Sequence, residues 1–265
     1  MTRFSIVTVC LNDAEGLVST LRSVVRQTFS DFQFVVQDGG STDATNDIVH
    51  DFGDWIEIYR SEPDSGIFQA MNRGLSLCTG DYTIFMNAGD MFESVETLAE
   101  VAPQIAPEDD LVAGLAIATE TGRVHSYNPP NLFWRGSTFD HQATFARTSI
   151  LQKFGFDESL RITGDLDLFS RLRLDGIQVR RIPTVVCRKP FEQGASSSFM
   201  ARFPERYSVL MRHFGDMYPV DAALAGDLAR YLAQTYGLVE SEWGMEAMDV
   251  RSLLALRETL ERLSR

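Results

Sequence analysis

The sequence of 265 residues has few cysteines and no long hydrophobic run, and both features limit what it can be. Its three cysteines, Cys10, Cys78 and Cys187, lie far apart and form no CxxC or metal-ligand spacing. This indicates buried free thiols, as in a reducing cytoplasm. No apolar stretch reaches the roughly 20 residues of a membrane span, and the N-terminus lacks the layout of a signal peptide. We expect a cytoplasmic protein with at most peripheral contact at the inner face of the membrane.

Basic residues are scarce relative to acidic ones. Lysine and arginine total 24 against 37 aspartates and glutamates, which gives a formal net charge of −13. A surface of this sign repels phosphate backbones, so we expect no nucleic-acid partner. A phosphorylated ligand would need a local positive charge, and a divalent metal ion is the obvious source.

Glycine-rich phosphate-binding motifs are also missing. The first apolar run leads into "CLNDAEG" (10–16), which lacks the GxGxxG spacing of dinucleotide-binding folds. The chain has no Walker A pattern and no GxSxG elbow. A sugar-phosphate nucleotidyltransferase should carry a glycine-rich basic loop at this point, whereas "CLNDAEG" is acidic and poor in glycine.

The first ninety residues show a regular alternation of two patterns. Apolar, β-branched runs predict strands at 4–11, up to Asp38, at 55–62 and at 81–90. Amphipathic segments between them predict helices. Because strands that alternate with helices form right-handed βαβ units, the sequence predicts an α/β fold with a parallel sheet.

Beyond residue 92 the pattern changes. The predicted elements are helices at 94–105, 148–160 and 164–176, strands at 110–119 and 177–189, and helices alone from about residue 199. We therefore divide the chain into an α/β domain, residues 1–199, and a C-terminal helical extension, residues 200–265. In the extension, four leucines share one helix face, which predicts either a core contact or a homodimer surface. They are Leu253, Leu256, Leu260 and Leu263.

Three acidic residues lie where the first strands end: Asp38, Asp64 and Asp90. Ligands of open α/β sheets bind at the carboxyl ends of the strands. A single aspartate at such a place is more often a turn residue, because it hydrogen-bonds its own backbone. Three at one edge predict a binding site.

Three separated blocks resemble a known family. They are "SIVTVCLNDAEGLVSTLRSVVRQTFSDFQFVVQDGGSTDAT" (5–45), "SEPDSGIFQAMNRGLSLCTGDYTIFMNAGD" (61–90) and "HQATFARTSILQKFGFDESLRITGDLDLFSRLRLDG" (141–176). In order and spacing they resemble family 2 glycosyltransferases of the GT-A fold, in the bacterial branch that builds cell-surface and exopolysaccharide chains. The resemblance implies a mostly parallel twisted sheet flanked by helices. It also implies a nucleotide-binding half at about 1–92 and an acceptor half at about 93–199.

The resemblance implies roles at the matching positions. Asp38 would bind the base and ribose of a nucleotide-sugar, with the main chain of Val9 and Leu11 beside the base. Asp90 would hold a divalent metal ion, Mn²⁺ or Mg²⁺, and Asp165 would be the catalytic base. Further contacts to nucleotide or donor sugar are implied for Asp64, Asn72, Arg73, His141 and Gln142.

The chain departs from the family at the metal-binding motif. The D-x-D pair is replaced by Asn87-Ala88-Gly89-Asp90, which retains one acid. Mg²⁺ often uses one or two protein carboxylates and takes its other oxygens from phosphates and water, so one acid is sufficient in principle. Tight metal binding without nucleotide is not expected.

The proposed base and the histidine each have a structural alternative. Thr163-Gly164-Asp165 precedes a predicted helix, so Asp165 is either the base or a helix cap. Asp165 and Asp167 point to different sides of that helix, and at most one faces the cleft. We choose Asp165 first and Asp167 second. His141 either contacts donor phosphate or acceptor or is a structural hydrogen-bonding residue.

The expected function is the inverting, metal-dependent transfer of a hexose from a nucleotide-diphosphate sugar to a saccharide or lipid-linked saccharide. The alternative is a non-catalytic nucleotide-sugar-binding subunit of a polysaccharide-assembly system, because one acid is missing. Arg188 and Lys189 either close over the diphosphate or are solvated charges. Donor and acceptor identity depend on the loops at 125–145 and 185–200.

Overall fold

The strands of the protein form one mixed sheet. The computed structural model describes residues 3–125, 128, 130–190, 198–238, 240 and 244–263. Its strands are β1 (Phe4–Cys10), β2 (Phe32–Asp38), β3 (Ile58–Ser61), β4 (Tyr82–Phe85), β5 (Met91–Phe92), β6 (Leu111–Ala118), β7 (Thr144–Arg147) and β8 (Val179–Lys189). Across the sheet they lie in the order β3-β2-β1-β4-β7-β6-β8-β5.

The first four strands are parallel, as predicted. β1 pairs with β2 on one side and β4 on the other, and β3 pairs with β2. All seven residues of β1 are buried, because helices cover both faces of the sheet. The carboxyl ends of β1, β2 and β4 therefore lie together at one edge of the sheet, as predicted.

The second half of the sheet is mixed. β7 runs antiparallel to β4 and β6, whereas β8 runs parallel to β6. The short β5 pairs antiparallel with β8. Because β6 and β8 point the same way as β1, their carboxyl ends extend the same edge. The prediction of a mostly parallel sheet flanked by helices is confirmed.

Helices and short 3₁₀ turns connect the strands. The helices are α1 (Ala14–Val25), α2 (Thr45–Asp51), α3 (Ile67–Ser76), α4 (Thr97–Val101), α5 (Thr148–Phe154), α6 (Gly164–Leu174), α7 (Phe199–Phe214), α8 (Val220–Tyr236) and α9 (Val250–Leu263). None of these helices is long and apolar enough to cross a bilayer, within the ranges that the structure describes. Cys10, Cys78 and Cys187 are free and buried, as predicted.

Several predicted boundaries are too long. The strand predicted to reach residue 90 ends at Phe85, because the chain turns there and Gly89 adopts a positive φ of 93°. The helix predicted for 148–160 ends at Phe154, where Gly155 takes a φ of 57°. Glycine adopts such angles without steric cost, so it stops the regular element.

The C-terminal helices pack on the same core as α3 and α6. Buried side chains of α3 and α6 share one continuous cluster with those of α7, α8 and α9. The extension contributes fully buried leucines, such as Leu210, Leu224, Leu228 and Leu253. These four side chains are thus buried within one chain, and α7 lies directly against α6.

Candidate functional site

Asp38 ends β2 and is fully buried at the carboxyl edge of the sheet. Its carboxylate accepts hydrogen bonds from the N–H groups of Gly40 and Ser41 and from the hydroxyls of Ser41 (2.5 Å) and Ser61 (2.6 Å). Both oxygens are therefore used inside the protein. The contacts fix the loop after β2 against the end of β3.

The turn after β1 forms the neighbouring wall. Asn12 has a φ of 51°, which asparagine tolerates better than most residues, and its N–H donates to the Ser41 hydroxyl at 2.7 Å. Val9 is buried, and its carbonyl accepts from the N–H of Ala88. Leu11 is 55% exposed, so it offers an apolar surface at the carboxyl edge of β1, β2 and β4, which we call the crevice.

Asp64 lies against Gly39 at this edge. A β-carbon at Gly39 would be 2.5 Å from Oδ2 of Asp64 and 3.3 Å from Cδ1 of Leu11, so only glycine permits this close approach. Oδ1 of Asp64 accepts from the N–H of Gly66 at 2.9 Å. The structure thus brings Leu11, Asp38 and Asp64 to one end of the crevice.

Asn72 and Arg73 lie in α3 and hold loops beside the crevice. Asn72 donates to the carbonyl of Phe156 and accepts from its N–H, and it also donates to Glu158. Arg73 donates to the carbonyl of Pro63 at 2.9 Å. The side chains of Asn72 and Arg73 are both hydrogen-bonded within the protein, so they support the loops that border the crevice.

The turn between β4 and β5 carries Asp90 on the other side of β1. Asp90 is 5% exposed, and its Oδ2 accepts from the N–H of Asn87 at 3.0 Å. Burial raises the pKa of Asp90 to about 6, although the nearby Lys189 and His141 favour its ionised form. A nearby positive charge stabilises the ionised form of a buried carboxyl, so a cation bound beside Asp90 would favour its carboxylate.

A buried ion pair lies beside this turn. Nζ of Lys189 donates to Asp140 at 2.8 Å and to Oε1 of Gln142 at 3.2 Å, and His125 contacts the other oxygen of Asp140 at 2.9 Å. Burial opposes ionisation of Asp140, but the hydrogen bond from His125 and the charge of Lys189 outweigh it and hold the pKa of Asp140 well below its usual range. Neither Asp140 nor His125 belongs to a motif of the sequence analysis. The feature that could have identified Asp140 is its position directly before His141.

The interpretation of Arg188 and Lys189 as solvated charges is wrong. Arg188 donates twice to the carboxylate of Glu93, at 2.9 and 3.0 Å, and Lys189 is bound to Asp140. Parts of the two predicted specificity loops lie outside the described residues, namely 126, 127, 129 and 191–197.

His141 connects the two halves of the site. Its Nε2 lies 3.4 Å from Nδ2 of Asn87, and its Nδ1 lies 3.3 Å from Oδ2 of Asp165. Oδ1 of Asp165 accepts from the N–H of Leu166 at 2.8 Å, and the side chain is 23% exposed. One imidazole therefore bridges the turn that carries Asp90 and the helix that carries Asp165.

Asp167 points away from this crevice. Its side chain is buried and accepts from Nε of Arg171 at 2.8 Å, while its other oxygen meets Nε2 of His213 at 2.8 Å. Arg171 also donates to the carbonyls of Phe154 and Gly155 at the end of α5, and His213 lies on α7. Of the two candidate bases, Asp165 alone contacts His141 among the described residues.

The donor atoms around Asp90 fit part of a divalent-metal shell. Oδ1 of Asn87 is buried and has no hydrogen-bond partner in the described part of the chain. It adds one oxygen to the carboxylate of Asp90 and a ring nitrogen of His141. No cluster of three or more His, Cys, Asp or Glu that could hold a metal occurs in the described ranges. The remaining ligands would have to be phosphate and water oxygens, which is usual for Mg²⁺.

We expect Asp38→Ala to lower both donor affinity and stability. The substitution removes the acceptor of the Ser61 hydroxyl and of the buried Ser41 hydroxyl, and leaving the buried group unpaired costs about 1–3 kcal/mol of unfolding free energy. The loop that they fix should loosen, which weakens binding of a nucleotide beside it. Urea unfolding and calorimetric titration check the two effects. Asp54→Asn, at an exposed position, is the matched control and should change neither. Unchanged stability and affinity would contradict this account of Asp38.

Comparison with known proteins gives a consistent result. The family model described as "Glycosyl transferase family 2" matches residues 5–162. A PGL/p-HBAD biosynthesis glycosyltransferase of Mycobacterium bovis (strain BCG / Pasteur 1173P2) is 35% identical over 225 residues, covering 76% of this chain and 84% of the relative. An uncharacterized glycosyltransferase of Mycobacterium tuberculosis is 29% identical over 179 residues, covering 64% of this chain and 68% of that relative.

Two solved structures resemble the fold. The crystal structure of S. aureus TarS 1–349 in complex with UDP-GlcNAc has a TM-score of 0.66 at 18% identity, covering 87% of this chain and 73% of that one. Mannosyltransferase PcManGT from Pyrobaculum calidifontis, in complex with GDP-Man and Mn²⁺, has a TM-score of 0.63 at 18% identity, covering 99% and 80%. At this level of identity the likeness establishes the architecture, which is that of GT-A glycosyltransferases.

Proposed function

The chain belongs to glycosyl transferase family 2, and we propose that it transfers a hexose, with inversion, from a nucleotide-diphosphate sugar to a hydroxyl of a saccharide or lipid-linked saccharide. The observation that carries the proposal is the bridge through His141, which joins the turn of Asp90 to Asp165. A cation-binding carboxyl and a partly exposed carboxylate on either side of one imidazole are the groups that a single displacement requires.

On the donor side, the nucleoside lies between Leu11 and Asp64, and the diphosphate extends toward Asp90. Asp38 fixes the loop that forms this pocket, and its contact with base or ribose is part of the proposal. Asp90, Asn87 and His141 would hold a Mn²⁺ or Mg²⁺ ion, which when bound neutralises the charge of the departing diphosphate.

On the acceptor side, Asp165 is the general base. Its carboxylate takes the proton of the acceptor hydroxyl while that oxygen attacks the anomeric carbon. The bond from the anomeric carbon to the diphosphate oxygen breaks, and its electron pair leaves with the diphosphate. His141, 3.3 Å from Asp165, orients the carboxylate. Because attack and departure occur on opposite faces of the sugar, one displacement inverts the anomeric centre.

The remaining predicted residues support this site. Asn72 and Arg73 hold the loops at 155–158 and 62–63, which border the donor pocket. Gln142 receives a hydrogen bond from Lys189, and both lie beside Asp90. We propose that Lys189 stays bound to Asp140 and adds positive potential at the diphosphate without contacting it directly.

The names of the relatives support a class of product. Relatives at 35% identity are described as PGL/p-HBAD biosynthesis glycosyltransferases. One structural neighbour is in complex with UDP-GlcNAc, and the other is in complex with GDP-Man and Mn²⁺. We extend nucleotide-sugar use to this chain and propose that it builds a cell-envelope glycan. The second candidate, a non-catalytic nucleotide-sugar-binding subunit, is favoured only by the single acid in the metal motif.

A thermal-shift screen tests donor use. The protein is heated with UDP-, GDP- and dTDP-sugars, each with Mn²⁺ and with a chelator. A ligand at a hundred times its Kd stabilises the folded state by about 2.7 kcal/mol, which corresponds to a shift of about 5–10 °C for a chain of this size. We expect one nucleotide class to give such a shift with Mn²⁺ and a smaller one with the chelator. No shift with any donor would contradict the proposal.

A further inference from the structure

Glu205, on α7 in the C-terminal extension, is bound to the turn that precedes α6. Its carboxylate accepts from three consecutive backbone N–H groups, those of Arg161 (2.7 Å), Ile162 (2.8 Å) and Thr163 (2.6 Å). The hydroxyl of Thr163 donates to it as well, at 3.0 Å. Four donors on one carboxylate make an anchor far stronger than a typical surface contact.

The charge of Glu205 is stabilised by this arrangement. Burial alone would raise the pKa of Glu205, but the backbone N–H groups of Arg161, Thr163 and Ile162 outweigh it and lower the pKa. Thr163 occupies the N-cap position of α6, yet its hydroxyl serves Glu205 and makes no capping bond to the helix. The start of α6 is thus held by a side chain from another helix.

The anchored turn connects both halves of the site. Asp165 follows Thr163 by two residues, so fixing the turn fixes the carboxylate relative to His141. On the donor side, Nη1 of Arg161 donates to the carbonyl of Ser65 at 2.5 Å, directly after Asp64.

A second contact from α7 lies beyond Asp165. His213 meets the carboxylate of Asp167 at 2.8 Å, one helical turn or less from the proposed base. α7 therefore contacts the chain on both sides of Asp165. Glu205 binds residues 161–163, which precede Asp165, and His213 binds Asp167, which follows it.

We propose that Glu205 is a positioning residue for the transfer reaction. It acts through the backbone of residues 161–163 and sets the place of Asp165 against the acceptor hydroxyl. The C-terminal extension is then part of the catalytic unit through a residue that acts on Asp165 and not on the substrate itself. This inference rests on the proposed role of Asp165 as the base.

Glu205→Gln tests the inference with little change of shape. The amide keeps one acceptor oxygen but turns N–H donors toward the N–H groups of the turn, so the turn should shift. A displacement of about 1 Å at a reacting group can slow a reaction by about a hundredfold. We expect kcat for transfer to fall by about tenfold to a hundredfold, with donor KM within about threefold of wild type. Glu258→Gln, at an exposed position on α9, is the matched control and should leave both unchanged.

A double mutant separates positioning from a general loss of folded enzyme. If Glu205 acts only through Asp165, Glu205→Gln combined with Asp165→Asn should be no slower than Asp165→Asn alone. A loss of folded protein would instead make the fold-decreases in kcat of the two single variants multiply in the double mutant. Fold-decreases in kcat that multiply in the double mutant would overturn the inference. So would a donor KM that rises by the same factor as kcat falls.

The design also distinguishes this inference from the proposed function. If Asp165→Asn slows transfer but Glu205→Gln does not, the positioning role fails and the base stands. If Asp165→Asn keeps full turnover, the proposed function fails first. Should Glu205→Gln not fold, Thr163→Val removes one of the four donors at similar shape. It should lower kcat by about threefold, in line with a single lost hydrogen bond of moderate strength; unchanged kcat would overturn the inference.

Discussion

Asp165→Asn should lower the turnover number for transfer by about 10²–10⁴-fold, because an amide cannot take the proton of the acceptor hydroxyl. This corresponds to about 3–5 kcal/mol in the activation free energy. Donor affinity should stay within about threefold of wild type, since the proposal places the donor on the Asp90 side of His141 and Asp165 contacts the other ring nitrogen. The measurements are steady-state turnover with acceptor present and calorimetric titration of the donor.

The same substitution distinguishes a base from a residue that only supports the first turn of α6, because Thr163 holds the N-cap position and Asp165 accepts from the N–H of Leu166. Asparagine can accept the same hydrogen bond, so a structural role would survive the substitution. Asp167→Asn is the matched control two residues away, because Asp167 faces Arg171 and His213. It should lower the melting temperature more than the rate. Turnover within threefold of wild type for Asp165→Asn would assign Asp165 a structural role at the start of α6. A joint fall of turnover and donor affinity would place it in the donor site.

Asp90→Ala should abolish metal-assisted donor binding. Wild type should bind the nucleotide-sugar more tightly with Mn²⁺ than with a chelator, by about tenfold to a hundredfold, as expected when a charge-assisted contact is worth about 1.5–3 kcal/mol. The variant should show one weak affinity under both conditions, because Asn87 and His141 supply no negative charge to hold the cation. Equal wild-type affinities with and without metal would contradict the metal role.

Metal-assisted binding should also weaken as the pH falls through about 6. Burial raises the pKa of Asp90 to about 6, so below that pH a proton occupies the carboxyl that the cation needs. Above it the carboxylate is ionised and affinity should be constant. The decline should approach about tenfold per pH unit for one competing proton. Intact nucleotide-sugar is the suitable probe, since a free diphosphate titrates in the same range. Asp90→Ala should lack this dependence.

The parallel half of the fold could be predicted from local pattern. β1, β2 and β4 are short apolar runs separated by amphipathic helices, and such alternation restricts the fold to a few parallel arrangements with right-handed crossovers. The acids at the strand ends followed from the same reasoning, and Asp90 lies where the pattern put it. The exact end of β4 was missed, because apolar residues continue to Met86 while the backbone turns at Gly89.

Contacts between distant segments could not be predicted in this way. The positions of Lys189 on Asp140 and of Glu205 on the turn at 161–163 depend on packing between elements 42 to 49 residues apart. Asn72 matches a family motif, yet its amide is bound to Phe156, which no pattern in the sequence indicates. Spacing identifies which residues carry chemistry, whereas tertiary packing decides which of them face the crevice.

The most direct test is nucleoside-diphosphate release by the purified protein. Each of a panel of UDP-, GDP- and dTDP-sugars is incubated with Mn²⁺ or a chelator, and the released diphosphate is followed for wild type and Asp165→Asn. A family 2 glycosyltransferase with the site described should release diphosphate from one donor class, and faster with Mn²⁺ and with acceptor. The rate of release by Asp165→Asn should be lower than that of wild type by about a hundredfold or more. Tight binding of a donor without release under any of these conditions would contradict the account and assign the chain to nucleotide-sugar binding without catalysis.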